Sequence, residues 1–133
     1  MTPNIITAEK ALEALREVVS GKEDHIDPGS VPGGKCLYAI FDEGADRVVP
    51  SCIVGTALHS RGVPAGVLAS MNRCGSVEEV YSNAEEFDAY FVLTGGAFEV
   101  LQAAQTAQDT GRTWGTALEI AEDLWYAIQA DEN

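Results

Sequence analysis

Apolar residues recur at helical spacing near the start of the chain. Ala8, Ala11, Leu12, Leu15, Val18 and Val19 share one face of a helix. Thr7 is placed to cap it, Glu9 complements the dipole in its first turn, and Gly21 suits its C-terminal end. The pattern then breaks into KEDHIDPGSVPGGK, so residues 21–35 are expected to form a loop. CLYAIF at 36–41 has strand composition, and DEGAD reads as a turn into a second strand, RVV, at 47–49. Pro50 lacks the N–H that would extend the ladder, and Ser51 is a suitable N-cap for a helix from Cys52 to Gly62.

Pro64 can open another short helix reaching Asn72, and the acidic stretch SVEEVYSNAEEFDAY at 76–90 suggests one or two helical turns. YFVL at 90–93 reads either as a third strand or as buried extended chain. Thr94 is then expected to cap a helix over 95–109, closed by Gly111, and Thr113 to cap the last helix. In that helix Trp114, Leu118, Ala121, Trp125 and Ile128 form a stripe, widened by Ile120 and Leu124, that calls for a helix against it. The short link between the last two helices predicts antiparallel neighbours. The fold expected is a single domain over 1–133, mainly helical α+β, with a small antiparallel hairpin packed on about four to five helices. Residues 130–133 are expected to fray.

Charge changes this picture by making the two halves unlike. Residues 1–73 carry 9 acids and 7 bases, whereas residues 74–133 carry 12 acids and a single base, Arg112. With a formal net charge of −13, direct nucleic-acid binding and attachment to anionic membranes are disfavoured, because phosphate contacts need clustered Lys and Arg. The helix–glycine–helix of 52–71 resembles a helix-turn-helix, but only Arg61 and Arg73 lie near it, which fits a packing role better than DNA reading. Composition is that of a soluble globular chain. The N-terminus lacks a signal-peptide pattern and no apolar run is long enough to span a bilayer, so a cytoplasmic location is expected.

Candidate chemistry is sparse. Cys36, Cys52 and Cys74 are widely spaced and include no C-x-x-C pair, so neither a disulfide framework nor a metal site is expected, and no cofactor is implied. Cys52 at a helix start is the one thiol with a route to activation. His59 stands seven residues on, about 10 Å along the axis, which is too far for a Cys–His bond within one helix. His25 can reach Cys52 only if the loop folds over it. Burial of Cys52 in the core is the simpler expectation. The alternative function is a small enzyme, or a small-ligand binder, that uses Cys52 with His25 or His59, and a ligand pocket under Trp114 is a further possibility.

The carboxylates Glu78, Glu79, Glu85, Glu86, Asp88, Glu122 and Asp123 are ordinarily a solvated face. They are also the residues from which an acidic binding surface for a basic protein would be built. Ser51, Cys52, Gly62, Gly111, Thr113 and Trp114 are read as structural, with Gln105 and Gln108 satisfying polar groups at the joint of the last two helices.

Two segments, PSCIVGTALHSRGVP at 50–64 and AAQTAQDTGRTWGTALEIA at 103–121, resemble small proteins encoded by phages of actinobacteria. That group shares a C-[LI]-V-G helix and a late A-Q-x-x-Q-D-x-G-x-x-W-G-x-A segment. The resemblance implies a phage origin and action inside a bacterial host, but no activity and no catalytic residue. The function expected is therefore non-enzymatic binding of a host or phage protein, with homo-oligomerisation as an open option.

Overall fold

The computed structural model describes residues 4–27, 37–72, 74 and 77–132. Cys36, the remainder of the expected loop and Arg73 lie outside the described residues. The chain runs β1 (Asn4–Ile6), α1 (Ala8–Val19), β2 (Ala39–Asp42), β3 (Arg47–Pro50), α2 (Ile53–Ser60), α3 (Ala65–Met71), α4 (Val77–Ser82), α5 (Ala84–Phe87), β4 (Phe91–Leu93), α6 (Ala97–Asp109) and α7 (Trp114–Glu132). The fold is α+β and mainly helical, as its periodicity predicts. It has seven helices among the described residues, the acidic stretch holding two separate short ones, α4 and α5.

The first helix follows its signals closely. Thr7 Oγ1 accepts from the Lys10 N–H, and Ala8, Ala11, Leu12, Ala14, Leu15 and Val19 are buried. α6 is the centre of the helical layer, packing against α7, α1, α4 and α2. Its first turn meets the Trp125 ring at Gly96, and its last turn meets Trp114 through Gln108, so α6 and α7 run antiparallel as expected.

α6 and α2 both end in Schellman motifs. The Gly111 and Arg112 N–H groups donate to the Gln108 and Ala107 carbonyls, with Gly111 at φ +88°. The Gly62 and Val63 N–H groups donate likewise to His59 and Leu58, with Gly62 at φ +98°. α7 continues to Glu132, past residue 130 where fraying was expected.

The hairpin pairs Ala39 with Pro50 and Asp42 with Arg47. Its turn is held by Asp42 Oδ1, which accepts from the Gly44 and Ala45 N–H groups. Pro50 does not end the pairing. The Ser51 N–H donates to the Tyr38 carbonyl and the Cys52 N–H to the Leu37 carbonyl, both at 3.0 Å. Because the chain stays extended to Cys52, the expectation that Ser51 caps α2 is corrected: the cap is Cys52, whose Sγ accepts from the Gly55 N–H. On the other edge of the hairpin Asn72 acts as a strand surrogate, accepting from the Tyr38 N–H and donating to the Ala39 carbonyl.

A second sheet was not anticipated. β1 and β4 form a parallel pair with Ile5 opposite Val92, which makes 91–93 a strand. Thr94 is still tied to this sheet, its N–H donating to the Ile6 carbonyl. It therefore cannot cap α6, and Gly96 stands at that position without a side-chain cap.

The glycine of the C-I-V-G segment has a steric cause. A Cβ on Gly55 would lie 2.1 Å from the Tyr38 carbonyl oxygen, a backbone atom that also holds Ser51. Gly66, inside α3, has nothing within 4 Å of such a Cβ. Gly55→Ala is thus expected to lower unfolding free energy by about 1–3 kcal/mol or more through overpacking. Gly66→Ala should be neutral or stabilising by up to ~1 kcal/mol. Chemical denaturation of both variants checks the contrast, and equal effects would contradict the close approach.

Candidate functional site

Cys52 is fully buried and closes the N-terminus of α2. The neighbouring amide, Ile53 N–H, is taken by Gln108 Oε1 at 2.7 Å, and the Thr56 N–H by the Cys52 carbonyl at 2.8 Å. The Gly55 N–H of the same helix end points at Cys52 Sγ itself, so what sets this thiol apart from a reactive one is its burial. Cys74 is also buried.

Neither histidine is presented for chemistry with Cys52. His59 Nδ1 donates to the Val63 carbonyl at 3.1 Å, fastening the C-terminal turn of its own helix. His25 lies edge-on to the Trp114 ring at 4.6 Å, and its carbonyl accepts from the Trp114 N–H. The Glu23 carbonyl accepts from the Gly115 N–H, and Thr113 Oγ1 from the Thr116 N–H. The loop segment before Asp27 thus caps α7 and does not fold over the thiol. Trp114 is buried, and its Nε1 donates to Gln108 Oε1, so the indole has no donor left for a ligand. Among the described residues no three His, Cys, Asp or Glu side chains gather as metal ligands.

The acidic candidates divide. Glu78 and Glu79 lie in the first turn of α4, Glu85 and Glu86 on α5, and Asp88 at the C-terminal cap of α5, all exposed. Glu122 is different: its Oε2 receives both Nε (3.0 Å) and Nη2 (2.8 Å) of Arg16, joining α7 to α1. Glu122 is thus the one candidate carboxylate for which a salt bridge is seen among the described residues. Asp123 beside it is exposed. α4 packs on α6 and α5 on β4, whereas α7 packs on α6 and α1, so the carboxylates of 76–90 form a group of their own.

Beside that group is a pocket that charge alone did not signal. Val80 and Tyr81 of α4, Phe87 and Asp88, and Phe91, Val92 and Leu93 enclose about 200 Å³. Val80, Phe87 and Phe91 are buried, while Tyr81 leans on Phe98 of α6 with ring centroids 4.6 Å apart. The hint in the sequence is the spacing of Val77, Val80 and Tyr81 within an otherwise acidic run. It puts the two valines inward and the carboxylates outward, with Tyr81 at the rim.

No protein-family model, curated protein or solved structure matches the chain. What the fold presents is an acidic, partly apolar surface and a buried thiol.

Alkylation with peptide mapping tests the place of the thiol. Cys52 should react at least ~100-fold more slowly in the native protein than in denaturant, as for a site that opens only ~3 kcal/mol uphill. Labelling at the denatured rate would contradict its burial.

Proposed function

We propose that the protein acts without catalysis, by binding a basic protein through the acidic face of α4 and α5. The observation that carries this reading is a run of exposed charge of one sign. Five carboxylates, Glu78, Glu79, Glu85, Glu86 and Asp88, stand on two consecutive short helices. The one base in residues 74–133, Arg112, follows Gly111 after the C-terminal end of α6. A field of one sign steers an oppositely charged partner and rejects like-charged ones.

The same field repels phosphate, which argues against direct nucleic-acid contact. No helix among the described residues is long and apolar enough to cross a membrane. The resemblance to actinobacteriophage proteins makes the partner a host or phage protein inside the bacterial cytoplasm. The thiol alternative draws no support from a buried Cys52 and two histidines engaged elsewhere.

Affinity capture from an actinobacterial lysate, followed by mass spectrometry, tests the reading. Captured proteins should be basic and should be lost as salt rises from about 0.1 M to about 1 M, where screening shortens from about 10 Å to about 3 Å. They should also be lost when Glu78, Glu79, Glu85 and Glu86 are all changed to Gln. A capture profile indifferent to those four changes would overturn the acidic-surface reading.

A further inference from the structure

Glu99, Ala103, Thr106 and Thr110 follow one another at helical spacing along the outer face of α6, and Glu99, Thr106 and Thr110 are exposed. With Ile120 and Leu124 of α7 along one side and Arg112 at the joint, they line a groove of about 520 Å³. Its floor is small: Ala103, Thr106 and Ala107 let a second helix approach α6 to an axial distance of about 8–10 Å. One wall is apolar. Ile120 and Leu124 stand a turn apart and are half-buried, beside the fully buried stripe of Trp114, Ala117 and Ala121 that α7 turns to the core. None of the polar lining residues is buried, so the groove holds no fixed polar group to orient a small ligand.

The charges of the groove cancel. Glu99 is its one carboxylate and Arg112 its one base, and neither has an ion-pair partner among the described residues. Glu99 lies in the first turn of α6, whereas Arg112 follows its last residue, Asp109, and the Thr110–Gly111 turn. The two therefore mark opposite ends of the groove, about 20 Å apart at 1.5 Å of rise per residue. Thr106 stands midway between them.

We propose that this groove is the interface of a two-fold homodimer, with α6 of one copy lying antiparallel across α6 of the other at Thr106. A two-fold contact uses the same patch twice. Reversing α6 about Thr106 exchanges its ends, so Arg112 of each copy meets Glu99 of the other. Two ion pairs form from groups that a single chain holds apart. Ile120 and Leu124 of each copy flank the small residues of the opposing α6, and the two α6–α7 pairs make a four-helix arrangement.

Charge decides the occupant. Two copies of net charge −13 repel one another unless they meet on a neutral face, and this lining carries no net charge. A basic segment gains nothing here over a neutral one, since none of the α4–α5 carboxylates lines the groove. The proposal is independent of the acidic-surface reading.

Sedimentation of the full chain over roughly 1 μM to 1 mM tests it, and a reversible dimer should form within that range. Ala103→Glu sets two carboxylates against each other near the centre and should weaken the dimer at least ~100-fold. Glu99→Arg and Arg112→Glu should each weaken it about 5- to 10-fold. The first makes the chain less negative and the second more negative, so repulsion between whole molecules would move the two in opposite directions. Mixed in equal amounts, the two variants should regain the parent affinity to within about 2-fold, because two arginines on one copy then face two glutamates on the other. A monomer across the whole range would overturn the proposal. So would a dimer indifferent to Ala103→Glu, or one weakened by the single reversals and not recovered on mixing. Circular dichroism checks the fold of Ala103→Glu, and the mixing experiment decides without that variant. Capture of basic proteins through Glu78, Glu79, Glu85 and Glu86 is untouched by any of these outcomes.

Discussion

Two buried carboxamides on α6 hold the layers of this protein in place. Gln108 Oε1 accepts from the first amide of α2, Ile53 N–H, and from the Trp114 indole of α7. One turn earlier, Gln105 Oε1 accepts from the first amide of α4, Val77 N–H, at 3.0 Å and from the Tyr38 hydroxyl at 3.2 Å. Each glutamine thus satisfies one helix start and one large aromatic side chain. Leaving a buried donor such as the Ile53 or Val77 amide without an acceptor costs roughly 1–3 kcal/mol. A helix cannot satisfy its own first N–H groups, so the position of α6 fixes where α2 and α4 may begin.

From this constraint the use of the other polar residues follows. The turn between α6 and α7 is closed by Gly111, and the start of α7 is capped by the carbonyls of Glu23 and His25 and by Thr113. Cys52 and Asn72 are spent on the start of α2 and the edge of the hairpin. Glu122 is spent on Arg16, and Glu17 on Arg61. The exposed carboxylates of the α4–α5 face gather beside a small apolar pocket. A charged surface over an apolar slot is where association energy remains to be gained.

Local signals carried much of this arrangement. Thr7, Thr113, Gly62 and Gly111 mark helix ends through chemistry confined to a few neighbouring residues, and all four stand where that chemistry puts them. The hairpin and the antiparallel last two helices follow from short connections. Ser51 and Thr94 mislead for a shared reason: each is a good cap in isolation, but each is still held by strand pairing, which runs on to Cys52 in one case and ends at the Thr94 N–H in the other. β1 is three residues long and pairs with residues near 92, a separation no local pattern encodes. The Arg16–Glu122 pair spans 106 residues and is equally invisible. The glutamines were legible as satisfiers of backbone groups. That they reach across to α2 and α4, beyond their own joint, depends on how the helices pack.

The most direct test of the glutamine constraint is amide hydrogen exchange, residue by residue, on Gln108→Ala and Gln105→Ala alongside global unfolding. Removing Gln108 should speed exchange at Ile53 while sparing Val77, removing Gln105 should do the reverse, and each should lower stability by about 1–3 kcal/mol. Protection unchanged at both amides, with stability within about 0.5 kcal/mol of the parent, would show that packing alone holds these helices and would contradict the account.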